Sequence, residues 1–229
     1  MKAARSLSSK FWTLPLWAAL LPLVTYNLCY LVAIALDHLP ACVPYISGCT
    51  SVSSSGRLPP ENWIFKAGML PLAAVVLLVW QRCAATLERA GQCGLRILML
   101  RVLGITAALS LLLYIFTLGI AGTEFRAIRR IGINGFALSN FVAQLIFVFS
   151  YRPLRSDSTR TLWSWLAALC ILLPALAIVA ELAKALGAPR HPANNVLAWN
   201  ALLLQCLWFA VLARVLETPV YPRRSEERL

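Results

Sequence analysis

The chain is 229 residues long, 60% hydrophobic and only 13% charged, with a formal net charge of +12. Soluble domains carry about 25% charged and 45–50% apolar residues, and a globule of this size still exposes much of its surface, so burial cannot absorb the apolar excess. The composition excludes a disulfide-stapled secreted domain and a disordered chain, and it predicts an all-α polytopic membrane protein. The positive charge does not argue for nucleic acid, because the basic residues gather in the breaks between apolar runs, where they fix orientation.

Six segments approach the ~20 apolar residues needed to cross ~30 Å of hydrocarbon. They run over Phe11–Leu36, Trp63–Trp80, Ile97–Leu118, Gly132–Ser150, Leu162–Ala183 and Val196–Leu216. The runs are continuous and Leu/Ala-rich, without the dyad alternation of a membrane barrel. Lys2, Arg5 and Lys10 ahead of the first run resemble a signal peptide. An h-region, however, spans about 7–15 residues, far fewer than this stretch, and the segment is read as a retained first helix. Pro22 and Pro174 fall inside spans, where neighbouring helices satisfy the freed carbonyls. Short loops predict antiparallel neighbours in a single six-helix bundle over residues 1–229. No internal repeat marks the chain as a transporter built from inverted halves.

Counting charges orients the bundle. Fourteen basic residues fall on the side of the N-terminus: Lys2, Arg5, Lys10, Arg82, Arg89, Arg96, Arg101, Arg152, Arg155, Arg160, Arg214, Arg223, Arg224 and Arg228. Seven fall opposite, namely Arg57, Lys66, Arg126, Arg129, Arg130, Lys184 and Arg190. The bias places both termini in the cytoplasm. Arg126, Arg129 and Arg130 run against it, in what reads as an outer loop.

The first outer loop, from Asp37 to Asn62, is the longest. Ser47, Thr50, Ser51, Ser53, Ser54 and Ser55 supply hydroxyls, Gly48 and Gly56 allow tight turns, and Arg57 adds a fixed cation. Hydroxyls, backbone N–H groups and a guanidinium suit a phosphate or other anionic head group. The same composition also describes a solvated linker whose hydroxyls cap turns. Pro59-Pro60-Glu61 then opens the second span, with Glu61 placed to complement the positive end of the helix dipole. Cys42 and Cys49, seven apart, could close a ring around Pro44–Gly48 in an oxidising compartment.

Pro44-Tyr45-Ile46-Ser47, the hydroxyl- and Gly-rich stretch after it, Pro60-Glu61 and Phe65 together resemble the first-loop signature of the FRAG/DRAM/SFK family. That family includes the damage-regulated autophagy modulators and the protein that remodels lipid after GPI attachment. The resemblance runs through six spans, but its specific part covers about 20 residues. It implies a six-helix fold, cytoplasmic termini, a lumenal or periplasmic signature loop and a role in lipid handling. Family members often carry Ile-His at the start of the fourth span, where this chain has Ile131-Gly132. They often carry Glu-aromatic in the sixth, where it has Gln205-Cys206. Compact loops and Ala/Leu richness suggest a bacterial relative in the inner membrane, which would have no GPI anchor to remodel.

Polar residues inside the spans form a second group. Asn140 and Gln144 share a face of the fourth helix, and Asn200 and Gln205 lie in the sixth. Amide pairs between helices contribute about 0.6–2 kcal/mol each and commonly serve packing. Glu181 is an ionisable group near the outer end of a span, with Lys184 one turn away. His38 and His191 fall on the outer side without paired-ligand spacing, so no metal and no cofactor are expected. A Ser47–His38–Asp37 relay is conceivable, although no nucleophile elbow accompanies it.

These features predict a membrane protein that recognises lipid head groups at the outer leaflet through Ser47, Thr50, Ser51, Arg57 and Glu61. Its partners would be membrane lipids and a membrane protein, not nucleic acid. Binding is expected rather than catalysis. The alternatives are a small-solute transporter or channel component, with Asn140, Gln144, Asn200 and Gln205 lining a shared polar cavity, and a non-catalytic scaffold.

Overall fold

The computed structural model describes residues 13–154 and 157–218. Lys2, Arg5, Lys10, Phe11, Arg155, Arg223, Arg224 and Arg228 lie outside the described residues. Among the described residues seven α-helices follow one another: α1 Thr13–Ala35, α2 Pro44–Ser47, α3 Glu61–Arg89, α4 Gly94–Thr117, α5 Thr123–Tyr151, α6 Asp157–Ala185 and α7 Arg190–Glu217. A 3₁₀ turn, Arg152–Leu154, links α5 to α6. All but α2 are long and apolar enough to cross a membrane. At 1.5 Å per residue the 23 residues of α1 extend about 35 Å, enough for the hydrocarbon core and little more.

The helices run past the apolar spans at several ends. α3 continues nine residues beyond Trp80, so Arg82 and Arg89 are helical. Its far end is held by Glu88, which pairs with Arg101 of α4 at 2.6 Å. α5 begins at Thr123 rather than Gly132, so Arg126, Arg129 and Arg130 stand in its first two turns, not in a loop. Hydropathy could not show this, because cations at a helix N-terminus oppose its dipole. Arg129 resolves the conflict by donating from Nη1 to the carbonyls of Thr117 at 3.0 Å and Ile120 at 2.8 Å, where α4 has ended. Pro22, Pro71 and Pro174 all lie inside helices.

Helices alternate in direction, so α1 packs on α3, α3 on α4 and α4 on α5, while α7 closes back onto α1. α6 leans on α7 and touches α5 more sparsely. Only 17% of its apolar stretch is buried, against 44% for α1. The α5–α6 contact is fixed near the termini, where Trp163 Nε1 donates to the Val148 carbonyl at 2.9 Å.

In a bilayer the hydrophobic effect does not drive helix against helix, so close packing and inter-helix hydrogen bonds carry association. Trp80, fully buried, is the centre of this packing. Its ring lies 5.7 Å from Trp208 and 6.2 Å from Phe209, and its Nε1 donates to Asn140 Oδ1 at 2.9 Å. Gly132 lets α5 approach α4: a Cβ there would stand 2.8 Å from the Tyr114 nitrogen and 2.9 Å from the Ser110 carbonyl.

Candidate functional site

One end of the bundle carries residues 36–60, 118–122 and 186–189, and it is here called the loop face. The long first loop does not stand free in solvent. Cys42 and Cys49 are joined by a disulfide. Inside this ring, Pro44–Ser47 forms α2, which Gly48 ends in the left-handed region at φ 62°. A Cβ at Gly48 would also collide with the Pro192 carbonyl, so both backbone conformation and space require glycine.

The loop is bonded to both flanking helices. The Tyr30 hydroxyl accepts from the Cys42 N–H at 3.0 Å and donates toward the Cys42 and Pro40 carbonyls at 2.9 and 3.1 Å. From α7, Asn195 donates to Gly48 O at 2.8 Å, Trp199 to Thr50 O at 3.0 Å and Asn200 to Tyr45 O at 2.8 Å. The Tyr45 ring packs 5.1 Å from Trp199. Tyr45 and Asn27 exchange hydrogen bonds, at 3.0 Å from Asn27 Nδ2 to the hydroxyl and 3.3 Å from the hydroxyl to Asn27 Oδ1. Burial pushes the Tyr45 phenol above its ordinary pKa, while the bond to Asn27 pulls the other way. The phenol therefore stays protonated and able to donate. Replacing Cys42 and Cys49 by serine removes a short covalent ring and should cost the loop about 2–3 kcal/mol. Faster hydrogen exchange at residues 42–50, with the spans unchanged, is the expected readout.

Two groups of polar residues meet at this face. The first is a corner built on Asn62, whose Nδ2 donates to Gly56 O at 3.0 Å and Leu118 O at 3.1 Å, stitching the first loop to the end of α4. Arg57 is exposed there. A Cβ on Gly119, at φ 91°, would stand 3.0 Å from the Arg57 carbonyl. The Arg57 backbone and the Arg129 guanidinium, 72 positions apart in sequence, thus flank the same 117–120 segment.

The second group is an imidazole–carboxylate pair. His38 Nδ1 lies 2.6 Å from Glu61 Oε1; the Glu61 side chain is 1% exposed and that of His38 32%. Glu61 Oε2 is buried without a partner. The Cys29 thiol donates to the Glu61 backbone carbonyl at 3.4 Å.

The five residues expected to hold a head group do not form one surface. Ser47 and Arg57 are exposed, but Thr50 and Glu61 are buried. Thr50 Oγ1 lies 2.8 Å from Ser54 Oγ, Ser51 Oγ also 2.8 Å from Ser54 Oγ, and Ser54 Oγ donates to Ser51 O at 2.7 Å. These hydroxyls satisfy one another and hold a turn. The Ser47–His38–Asp37 relay is not formed: Ser47 Oγ donates to Val43 O, and His38 Nδ1 faces Glu61.

The intramembrane group divides too. Asn140 is engaged by Trp80 and Phe136 O, and Asn200 by Tyr45 O and Val196 O, so both serve packing. Glu181 is exposed and pairs at 2.5 Å with Lys184, which also reaches Asn194 and so ties α6 to α7. Gln144 Nε2 and Gln205 Nε2 are buried without partners. Phe147 lies 6.5 Å from Trp208, and each glutamine stands three residues before one of these rings on helices that run the same way. The two glutamines therefore occupy the same level of the bundle.

Sequence reasoning missed the His38–Glu61 pair, the Asn62 stitch, the donors Asn195 and Trp199 of α7, and the loop as the partner of Asn200. Asn195, Trp199 and Asn200 sit at i, i+4 and i+5 near the start of the last span, a polar stripe that could have marked a docking face. No family model matches this chain, and neither a curated protein nor a solved structure does.

Proposed function

We propose that this protein binds membrane-lipid head groups at its loop face. In this reading the loop face lies on the outer leaflet of a bacterial inner membrane, both termini lie in the cytoplasm, and the role is in envelope lipid handling. The observation that carries it is the corner around Asn62, where the first loop passes exposed Arg57 beside Gly119 and Arg129 holds the Thr117 and Ile120 carbonyls. Guanidinium groups bind phosphate through charge-assisted, often bidentate bonds, and Arg129 is already oriented by two carbonyls. Around the loop face, Ile46 is 79%, Trp63 68% and Val43 56% exposed. Apolar tips and an interfacial tryptophan suit a face seated among head groups rather than in water.

Native mass spectrometry of gently extracted protein tests this. Removing a charged hydrogen-bond donor costs about 1.5–3 kcal/mol, so Arg57→Ala should lower retained anionic phospholipid about tenfold or more. An unchanged lipid profile overturns the proposal. A scaffold would instead lose a copurifying membrane protein on loop mutation while keeping its lipid.

One observation favours transport as a second reading: the unpartnered amides of Gln144 and Gln205 at one level of the bundle. A solute path there predicts that cysteines at both positions react with water-soluble thiol reagents in intact membranes. Protection of both would dismiss it.

A further inference from the structure

We propose that His38 and Glu61 form a general-base dyad that hydrolyses an acyl ester of a membrane lipid bound at the loop face. The inference rests on the head-group reading above and adds a reaction to it.

The geometry divides the two groups by role. Glu61 is sealed inside, at the first position of α3, and its Oε1 holds His38 Nδ1 at 2.6 Å. Its other oxygen meets nothing, so among the described residues the imidazole is the one side chain that answers this carboxylate. A carboxylate on Nδ1 fixes the tautomer that carries its proton there, leaving the Nε2 lone pair free. Nε2 has no partner among the described residues, and about a third of the side chain is exposed. A buried carboxylate that orients a partly exposed imidazole is one arrangement that general-base catalysis uses.

Depth selects the substrate. His38 follows the end of α1 by three residues and Glu61 begins α3, so both stand at the boundary of the hydrocarbon core. The ester carbonyls of glycerolipids lie at that boundary, between acyl chains and phosphates. Leu36 and Trp63, two residues from each partner, are 46% and 68% exposed and would seat the pair there. Ser47 Oγ is turned to Val43 O, so the nucleophile is water.

In the reaction, Nε2 takes a proton from water as the water oxygen bonds to the ester carbonyl carbon. The tetrahedral adduct then collapses, breaking the bond between that carbon and the alkoxy oxygen. The proton on Nε2 passes to the leaving oxygen. Ester and water become one fatty acid and one lyso-lipid, and the dyad returns to its starting state.

The test uses the full chain in nanodiscs of mixed phosphatidylethanolamine and phosphatidylglycerol, with fatty acid and lyso-lipid followed by mass spectrometry. The wild type should release both in equal amounts. His38→Gln keeps an N–H to hold Glu61 but removes the base, and it should slow release about 100-fold or more at unchanged thermal stability. His38→Ala should be as slow and be partly rescued by added imidazole. Glu61→Gln should lower the rate while leaving the half-saturating lipid fraction unchanged. Absence of release above protein-free nanodiscs, or release that survives both His38 variants, overturns the dyad. Arg57-dependent lipid retention without hydrolysis would remove the dyad and leave head-group binding standing. Loss of both would remove the two together.

Discussion

Trp80→Ala is expected to destabilise the bundle by about 3–5 kcal/mol, the range for removing a large buried aromatic side chain. Trp80 is fully buried and touches three other helices: Gly104 of α4 lies under its Cβ, Asn140 of α5 accepts its N–H, and Trp208 and Phe209 of α7 pack on its ring. No neighbour can collapse into the void without leaving another contact. Trp80→Phe separates shape from bonding. It keeps an aromatic ring but leaves Asn140 Oδ1 unpaired, for a cost of about 1–2 kcal/mol. Unfolding of the reconstituted protein in mixed micelles measures both. A loss below about 1 kcal/mol for the alanine variant would mean that the helices are not held through this ring.

Gly132→Val is expected to cost about 3 kcal/mol, the upper end of the range for overpacking. The added side chain meets the backbone of α4 itself, at the Tyr114 nitrogen and the Ser110 carbonyl, and backbone cannot rotate away as a side chain can. The helices must separate, loosening the Arg129 contacts at their loop-face ends. Gly132→Ala introduces the same first atom and should show most of the effect, whereas Gly94→Ala, with open space around it, should not disturb the contact. Cysteine cross-linking between α4 and α5 reads the separation directly.

The six spans were legible because length and hydropathy are physical requirements of a bilayer, and neither depends on knowing which helices touch. The ends were less legible. Arg126, Arg129 and Arg130 look like a loop when only charge is considered, and what makes them helical is the carbonyls that α4 leaves open for Arg129. The pairing of Glu181 with Lys184 was readable because three residues on a helix form a neighbourhood. His38 and Glu61 were not readable as a pair. They stand 23 positions apart, and only the packing of α1 against α3 brings them to 2.6 Å. Thr50 and Ser51 offered the reverse lesson: hydroxyl density suggested a ligand, while the bonds to Ser54 show a turn closed on itself.

The anchoring of the first loop has a consequence for biosynthesis. Its seat consists of Asn195, Trp199 and Asn200, which follow their partners by 147 to 155 positions. At about 5–20 residues per second, a ribosome needs roughly 8–30 s to supply them after the loop has emerged. During that interval the ring around Pro44 has met Tyr30 but has nothing to rest on from the other side. A nascent chain stopped before residue 190 leaves this segment open to proteases, so its cleavage reports whether insertion of the final helix was completed.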